Sequence, residues 1–467
     1  MQIKEVNIKK TLSNFPAISK EQRPVFQKDD YLERIEKLRK LMDMKNLTHV
    51  IVYGDREHFS NIFYFTGFDP RFEEALLVIP REEKPVLIAG NEGMDYAEII
   101  PYSLKKVLYQ SFSLMGQARS KNKELKEIIK STGINDNSQV GLIGWKYFQE
   151  QEIEKHRNNY EVPFFIVDSI MKISGREQLV NATDLMQHPE YGLRIQVGLK
   201  ELVLHEIAGT KTSKKVFSVI DNLKEGMTEI EASRFLNIDG EPLAVHPNVN
   251  FGMDNVLMGL ASPQNDSILE KGKVVNIALG YRRGLVARTG LFVDSEQEIP
   301  SSMKGIVEEL YQPYFELLTT WYESVKLGVT GGEIYSKVKK TIGSFEKYGI
   351  GLNPGHLINT DEWTNSIFYE NSEYQIKSGM PIQCDIIAFP GAPFGGTHIE
   401  DGIVIADRSI RTKMEEKYPD SWKRIKLRKK FMKDTLGIDL PKEILPTSNI
   451  QGMLFPYMKN TDKILTN

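Results

Sequence analysis

Gly395-Gly396-Thr397-His398-Ile399-Glu400-Asp401-Gly402-Ile403-Val404-Ile405 sets two acids at the head of an apolar strand. Just upstream, Ser378-Gly379-Met380-Pro381-Ile382-Gln383-Cys384-Asp385-Ile386-Ile387-Ala388 places a single acid inside another strand-like run. Further back, Asn353-Pro354-Gly355-His356 brings a histidine onto a Gly/Pro turn. An acid in a buried strand is costly unless it is paired, coordinated or protonated. Taken singly, each residue has an ordinary structural role. His356 can cap a helix or bond a carbonyl, Asp385 can pair with an arginine, and Glu400 and Asp401 can sit in a strand-end turn. The three segments together concentrate the chemistry in the second half of the chain.

The composition bounds what that chemistry serves. The chain has 467 residues, 60 Lys plus Arg against 63 Asp plus Glu, and a net charge of −3. Near-neutral charge gives no general reason to bind nucleic acid or acidic membranes. The single cysteine, Cys384, excludes an intramolecular disulfide and a Cys-rich zinc site. No apolar run approaches the ~20 residues of a membrane span. Met1–Asn14 is polar and Lys-rich, without a signal core, so a cytoplasmic location is expected. At roughly 150 residues per domain, length alone suggests about three domains.

Working outward toward the N-terminus, Asp30–Lys45 has the spacing of an amphipathic helix. His49–Tyr53, Ala75–Ile79, Val86–Ala89, Val140–Gly144 and Phe164–Val167 read as strands, and Lys121–Lys130 as a helix. Alternating elements of this kind predict an α/β domain over residues 1–180. Residues around Tyr191–Leu223 and Met303–Val325 read as long helices. Each precedes a Lys-x-Gly-x-Thr junction, Lys224–Thr228 and Lys326–Thr330. Thr228 and Glu231 form a capping box in the first, so an internal repeat of two related halves is expected. From about Arg411 a basic helix, then Pro441, Pro446 and Pro456, predict a solvated helix and an extended tail draped over the core or a partner subunit. The zinc helix HExxH, the phosphate loop, Gly-x-Gly-x-x-Gly and the Gly-x-Ser-x-Gly elbow are all absent.

The order Gly-His, then Gly-Met-x-x-x-x-acid, then Ile-Glu-Asp-Gly-Ile-Val-Ile resembles the pita-bread metallopeptidase family. That family includes prolidase, aminopeptidase P, methionine aminopeptidase and the metal-free hydrolase creatinase. Lys271–Gly280 and the Lys224 junction are similar to its metal-site strand and helix junction. Asn61–Asp69 (NIFYFTGFD) is similar to the N-terminal motif of the prolidase and creatinase branch. The resemblance implies an α/β creatinase-type N-terminal domain over 1–180 and an α+β pita-bread domain with pseudo-two-fold halves over 190–410. A basic helix and extended tail over 411–467 complete the division. It also implies a homodimer and a small peptide or small-molecule substrate, with no nucleic acid and no membrane.

The family holds two metal ions with two Asp, one His and two further acids. Carried over, His356, Asp385 and Glu400 take the late ligand positions, and these three are the candidate catalytic or metal-binding residues. The first early Asp falls at Ala278 and the second within Arg282–Thr289, yet Lys271 through Val293 contains no acid. Arg282, Arg283 and Arg288 stand there instead, free in principle to pair with Asp385 and Glu400 or to bind a substrate carboxylate. Asp361-Glu362 corresponds to the family's His-Glu pair and joins the three arginines as candidate substrate-binding residues, and Gly259 or a neighbour corresponds to its substrate-side histidine. The ligand set implies no metal, or one weakly bound divalent ion (Mn, Zn or Co). Three functions are compatible with this. The first is a C–N bond hydrolase with metal-independent or single-metal chemistry. The second is a non-catalytic peptide- or protein-binding relative, and the third an Xaa-Pro metallopeptidase with unusual ligands. Strand alternation turns Cys384 away from a pocket that Asp385 faces, so Cys384 reads as core packing.

Overall fold

A computed structural model describes residues 1–257 and 259–467. The chain forms two compact units, Val25–Arg194 and a larger one joining Met1–Pro24 to Ile195–Asn467. This differs from the sequence division at 180 and 411 and has a direct cause. The first strand, β1 (Gln2–Glu5), pairs antiparallel with the last, Lys463–Thr466. Ile8 is fully buried, and Arg424 reaches the carbonyls of Pro16 and Ala17. Both termini are therefore integral to the larger unit.

The unit Val25–Arg194 is a six-stranded α/β sheet. Its helix α1 (Lys28–Met44) buries Ile35, Leu38, Leu41 and Met42, the stripe its spacing predicts. The strands are β2 (His49–Gly54), β3 (Ala75–Pro80), β4 (Val86–Ala89), β5 (Lys105–Leu108), β6 (Val140–Ile143) and β7 (Leu179–Asn181), in the order β5-β4-β3-β2-β6-β7. Two expectations need correction. The predicted helix over 121–130 shortens to α2 (Leu125–Lys130). The predicted strand at Phe164–Val167 is the start of a helix, α3 (Phe164–Ser174). Phe164 and Phe165 lie exposed, while Ile166, Val167, Ile170 and Ile173 are buried at helical spacing. A four-residue apolar run does not distinguish the two periods.

The larger unit is built from two similar halves. In the first, α4 (Leu199–Asn222) ends before Gly226, whose φ is 86°, and α5 (Glu229–Ser233) begins with the Thr228/Glu231 capping box. β8 (Leu243–Phe251), β9 (Val274–Tyr281) and β10 (Gly284–Leu291) follow. In the second, α6 (Gln312–Ser324) ends before Gly328, whose φ is 83°, and α7 (Gly331–Ile342) begins with a Thr330/Glu333 capping box. β11 (His356–Leu357), β12 (Pro381–Gly391) and β13 (Gly395–Ile405) follow. The hairpins β9/β10 and β12/β13 join through β10 and β13, giving the order β11-β12-β13-β10-β9-β8. β14 (Ile444–Pro446) adds to β13, and β15 (Lys463–Thr466) closes on β1.

The basic helix α8 (Pro419–Phe431) is only partly solvated. Arg424 and Arg428 are buried and bind Glu206 of α4 at 2.6–2.8 Å. The tail beyond it supplies Ile450, Leu454, Phe455 and Met458 to the main core, so it is packed in and not merely draped.

Candidate active site

Strand pairing aligns the predicted site residues. Asn248 of β8 lies opposite Ala278, Ala278 opposite Ala287, Ala287 opposite Glu400, and Glu400 opposite Asp385. Directly paired residues share a sheet face, so these five positions form one row about 19 Å long, at about 4.8 Å per strand. His356 stands on the next strand, opposite Gln383. The next row, toward the β12/β13 turn and away from the β9/β10 turn, holds Asn250, Asn276, Thr289 and His398. Apart from Ala278 and Ala287 the two rows are polar, and all of their residues but His398 are buried.

At one end of the row, His356, Asp385 and Glu400 converge, offering ligand atoms within 4.8 Å of one another. His356 Nε2 is 3.3 Å from Glu400 Oε1 and 3.8 Å from Asp385 Oδ2. Its Nδ1 faces the Leu357 carbonyl at 3.3 Å. His398 Nε2 donates to Asp385 Oδ1 at 2.8 Å. Trp363 stacks flat on His356, with ring centroids 4.2 Å apart and an interplanar angle of 12°. Trp363 belongs to the loop over 358–364, pinned at its base by Leu357 and Asn365.

The electrostatics separate the acids. Burial alone would raise Asp385, but the His398 hydrogen bond and charge, with His356 behind it, hold its carboxyl below the ordinary range. Glu400 is pushed well above that range by burial, then by Asp385, Glu362 and Asp401. Burial and the charges of Asp385 and Asp361 lift Glu362 to about 7. Burial pulls His356 down against the attraction of Asp385. These directions favour the acid form of Glu400 and the neutral form of His356, the pairing in which a Glu400 hydroxyl donates to His356 Nε2 and His356 Nδ1–H to the Leu357 carbonyl.

The arginines do not join this cluster as expected. Arg288 lies on the opposite sheet face, because it alternates with Ala287. It is buried against Asp401 at 2.7 Å and the carbonyls of Ile450 and Met453, and meets only the backbone oxygen of Glu400, at 3.3 Å. Expected partners Asp385 and Glu400 are thus replaced by Asp401. Arg282 and Arg283 form the β9/β10 turn, four residues along the strands from Ala278 and Ala287, about 13 Å away at ~3.3 Å per residue. Cys384 is fully buried on the underside, opposite Asp401. Thr289, one end of the window for the second early Asp, donates to Asn276 at 2.8 Å. Glu362 enters the electrostatics of the cluster, and Asp361 acts on Glu362.

His398 and Trp363 join the site without having been expected there, and Ala287 is the residue of the window Arg282–Thr289 that faces Glu400. His398 was within reach, since it stands two residues before Glu400 and strand alternation turns both to one face. Ala287 needs the strand register, and Trp363 needs the loop fold.

A polar sheet face carrying a His–Asp–Glu cluster, built from two capped-helix-and-hairpin halves in a chain that also holds a separate α/β unit, defines a pita-bread protein. Residues 204–407 match metallopeptidase family M24, and residues 34–187 match the creatinase/prolidase N-terminal domain. The chain belongs to this family. Similar solved structures include the prolidase from Pyrococcus horikoshii OT3, at 19% identity and TM-score 0.62, covering 80% of this chain and 95% of that one. The Xaa-Pro dipeptidase from Bacillus anthracis matches at 16% identity and TM-score 0.61, with 81% and 96% covered. The X-Pro aminopeptidase from Thermotoga maritima MSB8 matches at 15% and 0.61, with 80% and 95% covered. No curated protein matches the sequence.

Proposed function

We propose that the protein hydrolyses a C–N bond in a small peptide or peptide-like amide without a dinuclear metal centre. The observation that carries this reading is the row itself. Asp385, His356 and Glu400 are held together at one end, while Ala278 and Ala287 fill the next two positions. A two-metal site needs carboxylates that bridge the ions and balance their charge. Two methyl groups do neither, so the residues present do not fit a metal pair. His356, Asp385 and Glu400 offer three donors, enough for one divalent ion such as Mn, Zn or Co. Such an ion would supply Lewis-acid polarisation of the substrate carbonyl.

The side chains suit proton handling. Asp385, oriented by His398, is placed to accept a proton from an attacking water. Glu400, against His356, is placed to hand one to the leaving nitrogen. Ala278 and Ala287 leave an uncharged floor beside them for the body of the substrate. The same reading includes a cytoplasmic homodimer, whose assembly state sedimentation of the purified protein measures.

One observation favours a binding role instead. Trp363 covers His356 and leaves its ring without solvent exposure. Metal analysis of the purified protein, paired with hydrolysis assays on Xaa-Pro dipeptides and creatine-like compounds, separates the readings. At most one ion per chain, with turnover, is expected. Two tightly bound ions would identify a metallopeptidase with unusual ligands. No turnover with or without Mn would leave the binding role.

A further inference from the structure

The matched family regions end at 407 and begin at 34, so residues 1–33 and 408–467 lie outside them. These outer segments build something of their own. The arm over 9–23 runs along α4 and lines, with residues 235–241 and Asn449, a half-open cavity of about 950 Å³. Small-molecule sites are typically ~300–1,000 Å³. Its walls are of two kinds. Leu12, Phe15, Ile207, Phe217 and Phe235 give an apolar side, and lysines of α4 give a charged one.

The charge is unbalanced. Five cations of the lining face three acids. Lys9 is matched by Asp221 at 2.8 Å, and Arg23 by Glu241 at 2.6 Å. Lys211 is matched by Asp239 and Glu241 at 2.8 and 3.1 Å. Lys215 binds two backbone carbonyls, of Leu236 and Asn237, and its nearest carboxylate is Asp239 at 3.9 Å. Burial pulls its ammonium down, the mark of a cation short of compensation. Lys214 has no acidic partner among the described residues.

We propose that this cavity is a second ligand site, distinct from the polar sheet face, and that it takes an aliphatic carboxylate. The chain lies on Leu12, Phe15, Phe217 and Phe235, and the carboxylate head pairs with Lys214 and Lys215. The arm, held down at Pro16 and Ala17 by Arg424, forms the outer wall.

Calorimetric titration of the full chain with dodecanoate tests this, with dodecan-1-ol as the uncharged control. One dodecanoate per chain is expected, with the alcohol about tenfold weaker or worse, the size of one lost charge-assisted contact. The double variant Lys214→Gln/Lys215→Gln should weaken dodecanoate by a similar factor. Ser218→Trp, which fills the cavity, should do the same while leaving the circular dichroism spectrum unchanged. If Ser218→Trp perturbs the fold, the lysine variant alone decides. Absence of binding, equal binding of the alcohol, or affinity unmoved by the variants overturns the proposal. So does binding only to anionic phospholipid vesicles, or self-association in place of binding.

Discussion

Ala278 and Ala287 are the smallest residues of the site row, and the proposed chemistry turns on them. Each faces the other across the β9/β10 hairpin, and Ala287 faces Glu400 across β13. Replacing both by aspartate would put one carboxylate beside Glu400, at position 287, and a second on the strand beyond it, at position 278. Without metal, two more buried acids beside Asp385 and Glu400 repel one another, and each costs several kcal/mol to desolvate. With metal, that repulsion becomes a ligand set. The variant Ala278→Asp/Ala287→Asp should melt below the unmodified protein in chelator and recover on adding Mn²⁺. An ion at 100 times its dissociation constant contributes about 2.7 kcal/mol. Bound Mn per chain, measured by elemental analysis, should rise above the unmodified value. Equal metal content in both proteins would mean that these positions do not face the ligand cluster. At this scale the sequence is a good guide to identity and a poor one to direction. His356, Asp385 and Glu400 are legible because an acid or histidine bracketed by glycine and apolar residues is costly without a role. The arginines were legible as charges, but their destination was not. One residue of alternation sends Arg288 to Asp401 on the other face, which depends on register.

α4 shows how one element carries both packing and charge. Its inner face buries Leu202, Val203, Val216, Val219 and Ile220, and between them it buries His205 and Glu206. His205 donates from Nδ1 to the Arg283 carbonyl at 2.7 Å. Burial, reinforced by the Arg283 charge, pulls it from the ordinary 6.5 to about 3. A folded pKa below the unfolded one means that the unfolded chain binds the proton first. The stability contribution is therefore complete above pH 6.5 and is lost as pH falls toward 3. The slope reaches at most about 1.4 kcal/mol per pH unit for one proton. His205→Gln keeps a donor for the Arg283 carbonyl and removes the titration. Urea unfolding at a series of pH values should show the variant's stability changing less between pH 6.5 and 4.5, by about one proton. Parallel pH profiles would assign the proton uptake elsewhere. Elements of this kind were legible where punctuation was strong. Gly226 with Thr228 and Gly328 with Thr330 mark helix junctions by a left-handed residue and a hydroxyl cap, both local properties. Phe164–Val167 has the look of a strand by itself, and its helical period is settled only beyond it, at Ile170 and Ile173.

At the scale of the chain, the termini determine where the units divide. Nothing in the polar run Met1–Asn14 announces that it is structural, because its partners lie at the far end of the sequence. Ile3 pairs with Leu465, the Val6 amide donates to the Asp462 carbonyl at 2.7 Å, and the Ile8 amide donates to the Asp462 carboxylate at 3.0 Å. Burying an isoleucine is worth roughly 1.5–3 kcal/mol, so Ile8 alone is a measurable anchor. Deleting residues 1–24 removes that anchor, leaves β15 as an unpaired edge and frees Arg424 of two carbonyl partners. The unit Val25–Arg194 contains none of the deleted residues. Hydrogen exchange by mass spectrometry should therefore show faster exchange in Lys463–Thr466 and along α8 of the truncated protein. Exchange in β2, β3 and β6 should be unchanged. The open strand should also raise the tendency to associate through β15, visible as concentration-dependent sedimentation. Uniform acceleration across both units would mean that the arm stabilises the chain as one body. No change at β15 would mean that the terminal pairing contributes nothing to stability in solution.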